Sequence, residues 1–470
     1  MVHRRLRSPD AALDFDALRT ELGIIEPFST QAHAEADAAA TRSHDDHEDR
    51  TDLALVTVDP PGSTDLDQAL AVEATSNGWR VHYAIADVAA WVAPGGALDS
   101  HARSRTQTFY APDRRVPLHP PVLSEGAASL LPDGPRPAVL WTIDVDAAGV
   151  TTAIDVRRAL VRSRAQLDYA SVQRALDQGS APTALQALPA LGDALLAEAR
   201  QRGAIELGLP EQEVVRTGDG TWTVVLRADL AVERWNAQVS LLTGRAAAWL
   251  MIEAGIGLLR TLPAPDPATY PRLRKAAHSL GITWSEGTHP GTVLAGLDTT
   301  NPRHAAFADL AAELLRGAGY TPFDGPVPAD PGHAGVGAPY AHVTAPLRRL
   351  VDRFGTEICL AIAAGRAVPG WVLDALAELP EQMATGNRRA RSLDRATVDA
   401  TEAFVLADRV GQVFAASVVE TGDRFGTVAL DDPPVWARCD TRGLPLGEVV
   451  HVRCTTADVA TRTVRFQRVS

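Results

Sequence analysis

The stretch DPPGSTDLDQAL, residues 59–70, places Asp59, Asp65 and Asp67 within nine positions and follows them with Gln68. Carboxylates this close repel one another unless solvent, hydrogen bonds or a cation compensates their charge. Aspartate is favoured in turns, so an exposed turn is one interpretation. The other is a hard-cation site, because Mg²⁺ prefers oxygen ligands and keeps positions open for water and phosphate. The loop alone leaves both open, and it fits a sugar-nucleotide transferase with a DxD motif as well as a nuclease.

The residues around this loop have the pattern of β-strands. Alternating apolar and β-branched residues occur in LALVTVD, which begins at Leu53, and in WRVHYAIADV, and turn residues bound both stretches. PAVLWTIDVDAAGV and TAIDVRRALVRSRA extend the same sheet region. The acidic loop therefore follows an apolar strand, a position that suits a ligand site.

Helical periodicity occurs on both sides of this sheet region. FDALRTELGI and TQAHAEADAAATRS predict two helices within residues 1–50, and the charged spacer HDDHEDRTD follows them. In the middle of the chain, four stretches have apolar residues at helical spacing and end at glycine: WNAQVSLLTGRAAAWLMIEAG, PRLRKAAHSLG, HAAFADLAAELLRGAG and APLRRLVDRFGTEICLAIAAG. A further helix is expected from about Leu393 to Val410.

The last sixty residues return to short strands: GQVFAASVVE, RFGTVAL, VWARCD, EVVHVRCTTAD and RTVRFQRV. Five strands at this spacing predict a small OB-type barrel, which is a common nucleic-acid-binding module. The edge of a β-sandwich is the alternative.

Composition limits the class of protein. The chain has 470 residues, 46% of them hydrophobic, without an apolar run of about 18 residues, so no transmembrane helix is expected. Residues 1–10 lack the apolar stretch of a signal peptide, and the three cysteines lack metal-site spacing, so a reduced cytoplasm is the expected location. The net charge of −13 argues against a nucleic-acid coat or a membrane partner, but not against a nucleic-acid enzyme with a local basic channel.

A second motif, YAHVTAPLRRLVDRF, predicts the start of a helix. Thr344 can serve as its N-cap, and Pro346 suits the first turn. Arg348 and Arg349 would then lie at the positive end of the helix dipole, which disfavours a cation by up to ~1 kcal/mol. Either salt bridges, for example to Asp352, offset this cost, or the arginines bind an anion such as phosphate at the helix N-terminus.

Taken in order, these stretches resemble the signatures of the ribonuclease II (RNB) family. The matching segments are TVDPPGSTDLDQAL, HYAIADVAAWV, GGALDSHARSRTQTFYAPDRRVPLHPPVLSEGAASLLP, RQRGAIELGLPE (residues 200–211) and YAHVTAPLRRLVD. The resemblance covers about residues 51–405. The expected C-terminal barrel fits the RNA-binding OB domain that follows the catalytic domain in this family.

The resemblance implies an α+β fold in three parts. An RNB catalytic domain, a mixed sheet surrounded by helices, would span residues 51–405, with a small helical region over residues 1–50 and an OB-fold RNA-binding domain over residues 406–470. The implied activity is a processive 3′→5′ exoribonuclease that hydrolyses single-stranded RNA to nucleoside 5′-monophosphates. The expected cofactor is Mg²⁺, or Mn²⁺, and the expected protein is a monomer with single-stranded RNA as its partner.

The resemblance also assigns roles to residues, because four acids of the family's loop hold the metal ions and organise the attacking water. Asp67 matches the acid most closely tied to catalysis. The positions that match the metal site are Asp59, Asp65, Asp67 and Gln68, and those that match catalytic residues are Asp65, Asp67 and Arg348. The positions that match RNA-contacting residues are Tyr110 (at the 3′ end of the RNA), Tyr169, Arg348 and Arg349.

The sequence departs from the family pattern in three places. Gln68 stands where the fourth acid is expected, and NAQVSLLTGR stands where the family usually has a glutamate pair. The first fifty residues are too few for the family's two cold-shock barrels. The departure at Gln68 leaves a rival hypothesis, a non-catalytic RNA-binding relative that has lost its metal chemistry. The arginine-rich NRRARSLDR either lines the RNA channel or forms a solvated helix face.

Overall fold

The computed structural model describes residues 13–24, 27–44, 46–208, 211–218, 220–298 and 301–469. Two sequence expectations fall outside these ranges: the basic segment at residues 1–10, and residues 209–210 of RQRGAIELGLPE. Within the described ranges, no helix has the length and apolar character needed to cross a membrane.

One mixed sheet organises the first part of the chain. The strands of this part are β1 (Glu48–Asp49), β2 (Thr57–Asp59), β3 (Gln68–Thr75), β4 (Gly78–Ala86), β5 (Phe109–Tyr110), β6 (Arg115–Val116), β7 (Arg136–Asp146), β8 (Thr151–Val161) and β9 (Gln166–Asp168). In the sheet, β1, β8, β7, β4 and β3 are neighbours in this order; β1 pairs with β8 in parallel, and the other pairs are antiparallel. Two smaller pairs lie beside it, the parallel pair β2–β9 and the hairpin β5–β6.

The centre of the sheet is buried on both faces. Residues 81–86 of β4 and 137–141 of β7 are buried at every position rather than at alternate positions. Continuous burial of this kind means that chain covers both sides of the sheet. Tyr83 and Trp141 pair across the two strands and are among the largest fully buried side chains.

Helices cover this sheet. The helices are α1 (Phe15–Glu21), α2 (Thr30–Ala39), α3 (Ala97–Arg105), α4 (Tyr169–Asp177), α5 (Leu188–Arg202), α6 (Ala231–Ala254), α7 (Tyr270–Ser279), α8 (Pro290–Ala295), α9 (Pro302–Ala311), α10 (Leu350–Ala363), α11 (Gly370–Ala375) and α12 (Leu379–Leu406). α6 packs against α5 and α10, and α10 also packs against β8. α10 is fixed by a buried ion pair, because Arg353 donates to Asp99 at 2.6 Å and to the carbonyl of Val92 at 2.9 Å.

The middle of the chain differs from the helical expectation in two ways. It contains β-structure that periodicity did not indicate: β10 (Glu211–Arg216), β11 (Trp222–Arg227), β12 (Ile256–Thr261), β13 (Gly319–Asp324), β14 (Gly332–His333) and β15 (Ala338–Pro339). The helix expected from about Leu393 to Val410 begins earlier, at Leu379, and α12 ends at Leu406. Its first turns are rich in polar residues, which weakens the apolar pattern there.

The C-terminal barrel is confirmed. The strands β16 (Val413–Thr421), β17 (Gly426–Leu430), β18 (Trp436–Cys439), β19 (Val449–Asp458) and β20 (Thr463–Arg468) close in the order β16-β17-β18-β20-β19. Its interior contains Val418, Val428, Val452 and Phe466, all fully buried. The predicted α+β class, with a mixed sheet, surrounding helices and an OB-type barrel, is therefore confirmed.

Glu402 of α12 provides a pH-dependent contact between this helix, the barrel and the β10–β11 hairpin. It is 3% exposed and accepts hydrogen bonds from the backbone N–H of Trp436 and the side-chain amide of Gln212, each at 2.8 Å. Burial raises its pKa from 4.5 to about 7. The folded protein therefore binds the proton more tightly, and the free energy of unfolding should fall as the pH rises through this interval.

We expect Glu402→Gln to remove this pH dependence, because glutamine keeps the acceptor oxygen and cannot ionise. At pH 4, below the ordinary pKa of glutamate, the variant and the parent should have similar stability, while at pH 8 the variant should be more stable by on the order of 1–3 kcal/mol. Urea unfolding at both pH values measures the difference. The exposed Glu381→Gln on the same helix is the control, and equal stability of Glu402→Gln and parent at pH 8 would contradict the prediction.

Candidate active site

A cleft of about 920 Å³ lies where the loop between β2 and β3 meets the β5–β6 hairpin. Most of the residues that the sequence predicted for the site line this cleft. They are Asp59, Asp65, Asp67, Gln68, Tyr110, Tyr169 and Arg348. Residues far apart in the sequence therefore share one cleft, whereas Arg349 is outside its lining.

Asp59 is the last residue of β2. Parallel pairing with β9 places it beside Asp168, which caps α4. The Oδ2 atom of Asp59 is buried and receives no hydrogen bond from the described residues. Burial, and next the nearby Asp65 carboxylate, raise the pKa of Asp59 to about 7. A cation at this position would stabilise the ionised form.

Asp67 is only 4% exposed, and its two oxygens differ in their surroundings. Oδ1 accepts a hydrogen bond of 2.7 Å from the backbone N–H of Leu347. Oδ2 receives no hydrogen bond from the described residues and lies 3.5 Å from Nε of Arg348. Burial raises the pKa of Asp67 well above its ordinary value, although the Arg348 charge opposes the shift. One oxygen thus holds the chain before α10, and the other lacks a donor.

Asp65 has a partner within the protein. Arg115 donates from Nη1 to Asp65 at 2.7 Å, and its other nitrogens contact Glu125 and Thr64. The hydroxyl of Tyr110 lies 3.4 Å from the other Asp65 oxygen. The charge of Asp65 is therefore compensated by an arginine of the same cleft.

The β5–β6 hairpin brings Arg115 and Tyr110 to the cleft together. The two residues are directly opposite in the antiparallel register, as are Phe109 and Val116. Successive side chains of a strand point to opposite faces, so the first pair faces the cleft and the second pair is buried behind it. Tyr110 is 48% exposed, which leaves a ring face suited to stacking on a base.

Tyr169 lines the same cleft and follows Asp168, the strand partner of Asp59. It is the first residue of α4, whose N-cap Asp168 accepts a hydrogen bond from the backbone N–H of Ser171 at 2.8 Å. The Tyr169 hydroxyl accepts a hydrogen bond of 3.3 Å from the Asn236 side chain of α6. Burial and then the Asp59 charge raise the pKa of Tyr169, so its hydroxyl stays protonated at neutral pH.

The start of α10 corrects the expected helix N-terminus. The helix begins at Leu350, with Arg349 rather than Thr344 at the N-cap position. Arg349 instead forms a β-bridge with Gln107, and the N–H of Thr108 donates to the carbonyl of Arg348 at 3.0 Å. This pairing with a distant segment keeps Arg349 extended, which a local capping pattern cannot reveal.

The two arginines consequently have different surroundings. Arg349 is ion-paired with the buried Asp352, one of the two alternatives that the sequence left open. The side chain of Arg348 is 47% exposed and lines the cleft beside Asp67. Of the two arginines, Arg348 is therefore the one that lines the cleft, and contacts of Arg348 and Arg349 with RNA stay predictions.

Gln68 is held by hydrogen bonds at both ends of its amide. Nε2 donates to the carbonyl of Thr344, and Oε1 accepts from the hydroxyl of Tyr83, each at 2.6 Å. The Tyr83 hydroxyl also lies 2.6 Å from Oγ of Ser240 on α6. Gln68 thus connects β3, β4, α6 and the chain before α10 through neutral groups, and its role as a metal ligand stays a prediction.

The oxygen atoms of the cleft can be compared with the ligands that a divalent cation requires. In the described part of the chain, no three His, Cys, Asp or Glu side chains form a group that could hold a metal ion. Two buried carboxylate oxygens, on Asp59 and Asp67, nevertheless lack donors. Mg²⁺ is commonly bound through one or two carboxylates, with water and substrate phosphate as further ligands. The residues present therefore fit a cation that is completed by its substrate.

Sequence reasoning missed three side chains of this site: Arg115, Tyr83 and Asn236. For Arg115 a signal was present, because a tight hairpin over YAPDRRV pairs Tyr110 with Arg115. For Tyr83 and Asn236 the contacts depend on how β4 and α6 pack in space, and no local pattern indicates them.

Family models match both parts of the chain. The RNB domain matches residues 47–356, and the RNase II-type exonuclease C-terminal S1 domain matches residues 412–469. The human exosome complex exonuclease RRP44 is 30% identical over 336 residues, which are 68% of this chain and 34% of that protein. Ribonuclease R of Thermotoga maritima is 26% identical over 444 residues, which are 89% of this chain and 62% of that protein.

Solved structures share the fold. Mycoplasma genitalium RNase R in complex with ribose-methylated single-stranded RNA has a TM-score of 0.86 at 20% identity, covering 97% of this chain and 77% of that one. Yeast Ssd1, described as a pseudonuclease, has a TM-score of 0.72 at 16% identity, covering 93% of this chain and 56% of that one. At these identities the likeness concerns the fold. The family itself is given by the match over residues 47–356: the chain belongs to the RNB family.

Proposed function

We propose that the chain is a processive 3′→5′ exoribonuclease that hydrolyses single-stranded RNA to nucleoside 5′-monophosphates with Mg²⁺ or Mn²⁺. One observation carries this proposal: a single cleft combines two aspartates that each have one buried oxygen without a donor, a half-exposed arginine and an exposed tyrosine ring. Phosphodiester hydrolysis needs charge neutralisation, a positioned water and in-line geometry. The names of the relatives, exonuclease RRP44 and Ribonuclease R, support the same reaction.

Each residue of the cleft has a distinct task in this proposal. Asp59 and Asp67 hold the cation, and Arg348 neutralises the charge that develops on the scissile phosphate. Tyr110 stacks on a base near the 3′ end, and Tyr169 also contacts the RNA. Asp65, held by Arg115, completes the acidic loop. When bound, a divalent cation supplies polarisation of the phosphate and activation of the attacking water.

The wider organisation follows from the same proposal. We assign residues 1–50 to a small helical region, residues 51–405 to the catalytic domain and residues 406–470 to the RNA-binding barrel. The protein would act as a monomer in the cytoplasm, with single-stranded RNA as its partner. Contacts to backbone and stacked bases would make binding largely independent of sequence.

A non-catalytic RNA-binding protein is the second candidate. The structural likeness to a pseudonuclease favours it, as does the neutral residue at Gln68. Digestion of 5′-labelled single-stranded RNA with and without Mg²⁺ separates the two candidates. Shortening of the labelled strand in Mg²⁺ supports the exoribonuclease, whereas a gel shift without shortening supports the binding protein.

Asp67→Asn tests the assignment of the buried carboxylate. Asparagine keeps the oxygen that accepts from Leu347, so the fold should be retained while the negative charge is lost. We expect turnover to fall by at least about a hundredfold, the scale of losing a key electrostatic group, with RNA binding preserved. Single-turnover digestion and fluorescence anisotropy measure the two effects. Asp144→Asn, in the exposed Arg80–Asp144 pair, is the control, and near-normal cleavage by Asp67→Asn would refute the assignment.

Tyr110→Ala tests the stacking role. Loss of the ring should change the length of the final RNA fragment more than the initial rate, because the last nucleotides have the fewest other contacts. Tyr110→Phe is the matched control, since it keeps the ring and removes only the hydroxyl near Asp65. Its product ladder should resemble that of the parent. If the alanine variant gives the parental ladder too, Tyr110 does not contact the 3′ end.

Gln68→Asp tests the metal requirement of the cleft. An added carboxylate should increase cation affinity, so half-maximal activity should be reached at a lower free Mg²⁺ or Mn²⁺ concentration. Titration calorimetry with Mn²⁺ on the RNA-free protein gives a readout independent of activity. Gln68→Asn is the control, because it also shortens the side chain and disturbs the contacts to Tyr83 and Thr344 but adds no charge. Equal metal dependence of the two variants would place Gln68 outside the coordination sphere.

A further inference from the structure

Helix α1 lies directly behind the hairpin that carries Tyr110. Its N-cap Asp14 accepts a hydrogen bond from the N–H of Ala17 at 2.9 Å. A helix of only seven residues is marginal on its own, so its order must come from what it packs against. Phe15 and Leu18 are buried on the packed face.

The apolar face of α1 contacts the rear of the hairpin. Phe15 and Leu18 belong to one buried cluster with Phe109, Val116 and Leu393 of α12. Phe109 and Val116 are the pair that faces away from the cleft, while their strand neighbours Tyr110 and Arg115 line it. A displacement of α1 would therefore be transmitted through a two-stranded hairpin to the cleft residues.

Charged contacts fix the turn of the same hairpin. Arg19 of α1 is 1% exposed and donates two hydrogen bonds to Asp113, at 2.8 and 2.7 Å. Asp16 accepts from Arg114 at 2.6 Å and also contacts Arg19. Two-point arginine–carboxylate pairs restrict orientation as well as distance. Asp113 and Arg114 form the turn between β5 and β6, so α1 holds the hairpin at its turn and at its rear face.

The other contacts of α1 connect it to the C-terminal barrel and to the β10–β11 hairpin. Glu21 accepts two hydrogen bonds from Arg462 of the barrel, at 2.7 and 2.9 Å. Phe15 contacts the ring of Trp222 edge-on, with 5.4 Å between ring centroids. The β5–β6 hairpin and the barrel are therefore fixed to one short helix.

We propose that α1 is a positioning element for the active-site hairpin, and that Arg19, through Asp113, sets the place of Tyr110 and Arg115 in the cleft. The inference deepens the proposed function, on which its RNA-dependent consequences rest. Arg19 touches neither RNA nor cation in this proposal and acts only through the hairpin. Its loss should affect the placement of the 3′ end more than the affinity for the rest of the RNA.

Limited proteolysis tests the positioning without any nuclease activity. Trypsin cleaves after arginine, and Arg114 and Arg115 lie within the segment that α1 holds. In Arg19→Met, and in Asp113→Asn, cleavage at these two bonds should be faster than in the parent by at least about fivefold, since local opening becomes easier. Arg80→Met, which removes a two-point pair with Asp144 in the main sheet, should leave the rate at these bonds unchanged. Mass spectrometry of the fragments identifies the bonds.

RNA placement is tested in the Asp67→Asn background, where turnover does not interfere. A single-stranded RNA with 2-aminopurine at its 3′ end should lose fluorescence on stacking against Tyr110. Adding Arg19→Met or Asp113→Asn should reduce this quenching, while affinity from anisotropy changes by less than about threefold. In the Asp67 parent, each substitution should lower kcat about tenfold with little change in KM, the pattern of misplaced reacting groups.

The outcomes separate this inference from the proposed function. Unchanged tryptic cleavage in both variants would overturn the positioning role, whatever the protein does with RNA. Faster tryptic cleavage at Arg114 and Arg115 in the two variants, together with a parent protein that binds RNA without shortening it, would uphold the positioning role and reject the exoribonuclease. Equal losses of thermal stability and activity in Arg19→Met and Arg80→Met would mean a purely structural contribution and would also overturn the inference.

Discussion

The buried carboxylate of Asp67 is the constraint on which the site depends. A carboxylate removed from water is costly unless hydrogen bonds and opposite charge compensate it. One oxygen of Asp67 accepts the N–H of Leu347, and Arg348 lies 3.5 Å from the other. These contacts join a loop near the start of the chain to a segment about 280 residues later. The cleft therefore forms only when both the sheet and α10 are in their native positions.

The adjacent residues Arg348 and Arg349 of that segment have different contacts. Asp352 receives the N–H of Ala345 at 2.7 Å and also pairs with Arg349, so the turn before α10 folds back on the first turn of the helix. Gln68 adds a hydrogen bond to the carbonyl of Thr344. With Arg349 engaged in holding this turn, Arg348 is displayed at a fixed position beside Asp67. In the proposed function, Arg348 would lose little conformational freedom on binding phosphate, because its buried neighbour Arg349 fixes the backbone beside it.

Elements with a strong local period were predictable from the sequence, and contacts between distant segments were not. The five barrel strands and the buried strands β4 and β7 follow from apolar patterns, and the acidic loop is visible as three aspartates. The predicted start of α10 was wrong because Arg349 forms a β-bridge with Gln107, although the local sequence is well suited to helix capping at Thr344. The partners of Gln68 were equally inaccessible, since Tyr83 and Thr344 approach it only through tertiary packing. The position of Arg115 was partly predictable, because it depends on the register of a short hairpin.

Yeast Ssd1, which is described as a pseudonuclease, shares this fold, so the fold alone does not determine catalysis. Whether a protein with this fold is an enzyme or only binds RNA depends on its individual side chains and on their effect on folding free energy and ligand binding. Burial raises the pKa of both Asp59 and Asp67, which means that each is less stable as an anion in the folded protein than in water. In a protein that only bound RNA, neutral groups in place of these acids would increase the free energy of unfolding. Gln68 is an example of such a neutral group, because its amide makes hydrogen bonds to its neighbours without a charge. The two acids lie beside Arg348 and an exposed aromatic ring, where a cation would convert the penalty into binding energy. Destabilising charge concentrated at one cleft is a common feature of functional sites, and it agrees with the proposed chemistry on a phosphate.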